Sequence, residues 1–241
     1  LNRVLLVITD GDDRKAAANM GKIFEYGLDA PQPGTLLLSA VAAFLYLFMV
    51  AGKPSARRTG VKTLSVALLA VLCVLVDGPL VLTLALLACA AGDAFLAQDD
   101  ERAFLPGLLA FLVGHVLFVI VFVSRGNLDL IMGQPWRIVL GVVIILAALE
   151  MGRRLLPVAG ELRIPVAIYI VVIVAMALSA LAVPGWGVAV GAALFMASDT
   201  VLAAQKFLLA PERSPYLRAS FVWISYYLAQ LLMTLSVLAL V

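Results

Sequence analysis

The stretch FLPGLLAFLVGHVLFVIVFVS, Phe104 to Ser124, decides the fold: it holds no Asp, Glu, Lys or Arg, and one histidine, His115. As a helix rising ~1.5 Å per residue it is about 30 Å long, the thickness of a bilayer's hydrocarbon core. The rest of the chain repeats the pattern. Of 241 residues 64% are hydrophobic and 13% charged, where soluble chains run at roughly 45–50% and about 25%. The excess apolar surface has to face lipid. Apolar runs of bilayer length occur at about eight places: 34–51, 61–76, 79–97, 104–124, 136–156, 164–183, 186–207 and 217–241. Their continuous apolar character predicts helices, since barrel strands would alternate in polarity. The expected fold is all-α, a polytopic transmembrane helix bundle over 34–241. Residues 1–33, with Asp10, Asp12, Asp13, Arg14 and Lys15, read as a polar N-terminal extension.

Charge sets the expected orientation. Eleven of the 17 Lys and Arg residues lie in or beside the loops that follow spans 1, 3, 5 and 7. Cytoplasmic loops collect basic residues, so these loops are expected in the cytoplasm, with the protein in a plasma membrane, the inner one of a bacterium. A net charge of +2, spread between apolar runs, predicts no nucleic-acid partner. Cys73 and Cys89 fall inside apolar runs and read as small packing residues. One histidine in the whole chain excludes a zinc site built from several, so neither metal nor cofactor is expected.

Ionisable groups inside a span are costly and mark function by default. Here they are few: Asp93 near the end of span 3, His115 in span 4, Asp199 near the end of span 7. Tyr169, Ser198, Tyr226, Tyr227 and Gln230 are the polar groups around them, and Lys62 stands at the mouth of span 2. Counting along each helix puts Asp93 roughly 6 Å, Tyr169 roughly 8 Å, Asp199 roughly 12 Å and His115 roughly 16 Å from the cytoplasmic end. Helices of opposite direction thus carry polar groups into one half of the membrane. Small-residue stripes (Ala85, Cys89, Gly92; Gly191, Ala192) flank both aspartates and let helices approach closely. A polar cavity holding two carboxylates is the expectation. The plainer alternative makes the aspartates interhelical locks, and Glu150 with Arg153 and Arg154 an interfacial charge group.

Gly92-Asp93-Ala94-Phe95-Leu96, Phe111-Leu112-Val113-Gly114-His115, Tyr169 with Met176, Ser198-Asp199-Thr200-Val201-Leu202 and Tyr226-Tyr227-Leu228-Ala229-Gln230 occur in order, one per span. In these motifs, between about Lys62 and Thr234, the chain resembles the lysoplasmalogenase (YhhN-like) family of eight-span membrane proteins. It departs from the family pattern at Thr63, Phe118 and Gln205. The resemblance implies hydrolysis of the vinyl ether bond of a lysophospholipid drawn from membrane lipid, giving a fatty aldehyde and a glycerophospho-headgroup.

The residues suit that chemistry. Vinyl ether hydrolysis needs a carboxylic acid to protonate carbon and an anion that stabilises the cation and orients water. Asp93 and Asp199 are the candidate catalytic pair. Lys62, His115, Tyr169, Ser198, Tyr226, Tyr227 and Gln230 are candidate substrate-binding residues, with Lys62 as the phosphate's partner. Paired intramembrane aspartates also serve proton-coupled transporters, and a lipid-binding membrane protein is a third reading. The carrier reading lacks Gly/Pro-broken helix centres and a convincing inverted repeat.

Overall fold

The computed structural model describes residues 31–98, 100–209 and 216–240. All but the last three residues of the expected N-terminal extension lie outside the described residues. Every described element is helical: α1 Pro31–Leu47, α2 Ala56–Leu75, α3 Leu80–Leu96, α4 Glu101–Arg125, the short α5 Asp129–Gly133, α6 Pro135–Leu155, α7 Arg163–Ala180, α8 Gly187–Phe207 and α9 Tyr216–Leu238. The eight expected spans correspond to α1–α4 and α6–α9.

Local chemistry sets the boundaries. Pro31 and Pro33 stand in the first turn of α1, where a missing N–H removes no helical bond. The Ser55 hydroxyl caps α2 by accepting from the Arg58 N–H, and Asp100 does the same for α4 through Arg102 N–H. Between α2 and α3 the chain reverses at Asp77, whose φ of 53° is one that aspartate tolerates better than most residues. Gly185, at φ +76°, turns the chain into α8 where a side chain would be strained.

Five helices (α2, α4, α7 with the short turn before it, α8 and α9) are long and apolar enough to cross a membrane. α1 and α3 are apolar at 17 residues, about 25 Å long. α6 is 21 residues long but carries Arg137, Glu150, Arg153 and Arg154 toward its ends. Length and composition alone therefore support fewer crossings than the eight expected, and the difference lies in two short helices and one charged one. Distribution of polarity completes the picture. Phe48, Val74, Val123, Leu149 and Val171 face outward, while Asp93, His115, Gln230 and Thr234 are fully buried. An apolar exterior around a polar interior is what lipid solvation demands. The chain is a multi-pass integral membrane protein.

Packing places the site. α3 packs along α4, α8 along α9, and α2 between α1 and α3; α9 returns to α2, and α7 packs on α4. The predicted stripe on α3 is the seam with α4. A Cβ on Gly92 would lie 2.5 Å from the Phe111 ring, and one on Gly114 would lie 2.7 Å from Cys89 Sγ. Both helices therefore meet at backbone distance. At the opposite end of the bundle Arg137 is buried. Its guanidinium donates to the carbonyls of Leu181 (2.5 Å), Val183 (2.8 Å) and Gly185 (2.9 Å) and to Gln134 Oε1 (2.8 Å). It closes the end of α7 and the turn into α8.

Candidate active site

Asp93 ends the Ala85-Cys89-Gly92 seam of α3, which turns its carboxyl toward α2 and α9. Lys62 Nζ on α2 lies 3.0 Å from Asp93 Oδ1. The Tyr226 hydroxyl on α9 donates to Asp93 Oδ2 at 2.7 Å. Two consecutive helices and a third more than a hundred residues on are tied at one carboxylate. Lys62, the phosphate partner expected from the sequence, lines the cavity and pairs with this carboxylate, whose burial without a counter-charge would be costly.

Asp199 is held differently. The Tyr169 hydroxyl on α7 donates to its Oδ2, and His115 Nε2 on α4 stands 3.8 Å from the same oxygen. The imidazole is fixed from behind: Nδ1 lies 2.7 Å from the Phe111 carbonyl. Its ring meets Tyr169 and Phe195 edge-on, at centroid distances of 5.2 and 4.6 Å. The contact between α4 and α7 makes this trio possible.

A cavity of about 300 Å³ joins the two carboxylates; its walls include Tyr46, Arg58, Lys62, Asp93, Ser198, Asp199, Trp223 and Tyr226. A second, apolar chamber of about 70 Å³ lies between α4, α6, α7 and α8, lined by Phe104, Met151, Leu155, Tyr169, Ile173, Met196 and Phe207. Asp199 stands in the wall of both, together with Leu96, Phe111 and Leu202. An outer vestibule lined by Asp100, Glu101, Gln205 and Lys206 borders the polar cavity through Leu96, Leu202 and Gln205.

Of the nine sequence-derived candidates, Lys62, Asp93, Ser198, Asp199 and Tyr226 line the polar cavity, and Tyr169 lines the apolar one. The Ser198 hydroxyl itself donates to the Val222 carbonyl at 3.0 Å. His115 stands behind Asp199. Tyr227 lies outside these walls, bonded to Ser39 at 2.9 Å and stacked on Trp223. Gln230 is fully buried beside Cys89 and Tyr226. Two cavity residues do not stand out as site groups in the sequence. Arg58, which reads there as a loop charge, donates to the Val50 and Ala97 carbonyls at 3.2 and 2.9 Å and lies 5.9 Å above the Tyr46 ring. Its i,i+4 spacing from Lys62 is the signal that marks it. Tyr46 carries none. Among the described residues no three His, Cys, Asp or Glu side chains converge as metal ligands.

Residues 57–237 match the YhhN family. The chain belongs to that family. All nine candidates, from Lys62 to Gln230, fall within the matched region. Among curated relatives, the lysoplasmalogenase of Mycobacterium bovis is 34% identical over 157 residues, 62% of this chain and 57% of that protein. Human lysoplasmalogenase TMEM86B is 36% identical over 159 residues, 64% of this chain and 62% of its own. Bovine lysoplasmalogenase TMEM86A is 31% identical over 158 residues, 61% and 60%. The chain thus spans about three fifths of these relatives' length. No solved structure matches this YhhN protein.

Proposed function

We propose that this YhhN protein is a hydrolase that cleaves the vinyl ether bond of lysoplasmalogens within a plasma membrane, the inner membrane of a bacterium. The products are a fatty aldehyde and glycerophosphoethanolamine or glycerophosphocholine. One observation carries the reading: a polar cavity with two carboxylates meets an apolar chamber at Asp199. A single-chain ether lipid has the same division, a charged headgroup on one side of the scissile bond and a hydrocarbon tail on the other. With its tail in the apolar chamber and its glycerophosphate in the polar cavity, its vinyl ether lies beside Asp199. Lys62 and Arg58 bring positive charge to the headgroup side. Relatives named lysoplasmalogenase support the same substrate class.

The chemistry is acid–base catalysis on Asp93 and Asp199, at walls where substrate excludes water and fixed charges act strongly. Aldehyde release by the purified protein is the test, with lysoplasmalogen compared against the lysophospholipid bearing an ester at the same position. Aldehyde from the vinyl ether, and no fatty acid from the ester, is the expected result. Lipid bound without turnover would instead make this a lipid-binding membrane protein.

A further inference from the structure

The two aspartates are in unlike surroundings, and that difference assigns their roles. We propose that Asp199 is the acid that protonates the substrate carbon, while Asp93 remains the ionised, charge-balanced acceptor that orients water. The assignment rests on the hydrolase reading above and goes beyond it, because two carboxylates in one cavity are compatible with either order.

Partners come first. Asp93 has an ammonium 3.0 Å from Oδ1 and a tyrosine hydroxyl donating to Oδ2, two contacts that favour the charged form. Lys62 and Tyr226 use part of that carboxylate's acceptor capacity and leave lone pairs for a water. Among the described residues no lysine or arginine nitrogen lies within ion-pair distance of Asp199; its neighbours are Tyr169 and His115.

The imidazole's state follows from geometry. A carbonyl oxygen only accepts, so Nδ1, bonded to Phe111 O, carries a proton. Nε2 is buried without a hydrogen-bond partner, and 3.8 Å to Asp199 Oδ2 is beyond the ~2.7–3.2 Å of a hydrogen bond. A second proton there would be a buried cation with no hydrogen-bond acceptor, facing Asp199 Oδ2 only across 3.8 Å. His115 is therefore neutral and turns a lone pair toward Asp199. A lone pair opposes a carboxylate and suits a carboxylic acid.

The Asp199 side chain is 12% exposed and that of Asp93 1%, and only Asp199 borders the apolar chamber. With Oδ2 taken by Tyr169, Oδ1 is the oxygen left to meet substrate.

The step balances. The Asp199 O–H bond breaks as a C–H bond forms at the vinyl carbon remote from the ether oxygen. The double bond supplies the electron pair, and an oxygen lone pair closes the oxocarbenium ion. Water held by Asp93 adds to the cationic carbon and returns a proton to Asp199, giving a hemiacetal. The bond from the hemiacetal carbon to the glycerol oxygen then breaks. The hydroxyl proton passes to that oxygen, and aldehyde and alcohol part.

Infrared spectroscopy of the full chain in vesicles at neutral pH tests the assignment. A buried protonated carboxyl gives a carbonyl stretch that shifts in D₂O. The expected result is a band lost in Asp199→Asn, kept in Asp93→Asn, and moved but present in Asp199→Glu. Loss in Asp93→Asn with retention in Asp199→Asn overturns the assignment, as does a band kept in both variants or absent from the wild type. The Asp199→Glu protein guards against a lost band that only reports misfolding. Aldehyde release is measured in parallel. A wild type with the Asp199 band but no aldehyde overturns the hydrolase reading and the donor role, not the location of the proton.

Discussion

Two buried cationic sites lie at opposite ends of this bundle, and they are built in opposite ways. At the end where α7 turns into α8, Arg137 is surrounded by acceptors: three carbonyls and one side-chain amide oxygen take up four of its five N–H donors. About 14 residues on from Gly185, roughly 20 Å along α8, Asp199 borders a cavity of about 300 Å³ beside which Lys62 and Asp93 hold each other. There the Asp93 carboxylate, with Lys62 and Tyr226 as its partners, keeps acceptor lone pairs in reserve. A buried charge bonded on all three of its nitrogens fixes a turn. A buried charge with bonding capacity in reserve, facing open space, is arranged for something that arrives.

That contrast can be broken by substitution. The largest effect is expected at the aspartates. Asp199→Asn and Asp93→Asn should each lower aldehyde release by ~10²–10⁴-fold or more, while denaturation in detergent changes little. Near-normal turnover in either purified variant would remove that residue from the chemistry. Arg137→Met should do the reverse. Three carbonyls lose their donor, at about 1–3 kcal/mol for each left unsatisfied, so stability should fall by roughly 3 kcal/mol or more. The molecules that stay folded should keep their turnover, measured per mole of folded protein.

Lys62→Met sharpens the comparison, because it converts a paired carboxylate into an orphan. Removing one partner of a fully buried pair costs ~3–5 kcal/mol. With Lys62 16% exposed to the cavity, about 2–3 kcal/mol is expected. The kinetic loss should fall on kcat, since Asp93 would no longer be a balanced anion. A rise confined to KM would leave Lys62 with the headgroup role alone. Gly92→Ala is smaller. The new methyl meets the Phe111 ring at 2.5 Å and pushes it toward both chambers, which it lines. Overpacking of this kind costs about 1–3 kcal/mol, and here KM should rise as well. The least effect belongs to Tyr227→Phe. It loses a hydrogen bond to Ser39 worth about 1 kcal/mol, and activity should be unchanged because Tyr227 lines neither chamber.

Depth is legible in the amino-acid sequence. An α-helix advances a fixed distance per residue, so counting from the span ends places Asp93, Asp199, His115 and Tyr169 in one half of the bundle. Composition settles the solvent: a chain 64% hydrophobic and 13% charged has to turn its apolar faces outward. Five motifs in order point to the family that residues 57–237 match. The exact count of crossings is less legible, because a 17-residue helix such as α1 and a charged one such as α6 sit at the margin of what hydropathy separates.

Rotation is not legible. How far each helix turns about its own axis is set by packing against its neighbours, through the Gly92–Phe111 and Gly114–Cys89 contacts and the return of α9 to α2. No local periodicity encodes that closure. Residue counting therefore puts Tyr226 and Tyr227 in the same half of the membrane. Only packing sends the first to Asp93 and the second to Ser39. It also turns Lys62 inward onto Asp93, brings His115 of α4 against Asp199 of α8, and makes one aspartate the border between a polar and an apolar chamber. Periodicity along a helix measures height; which neighbour a side chain meets at that height depends on helices tens of residues away.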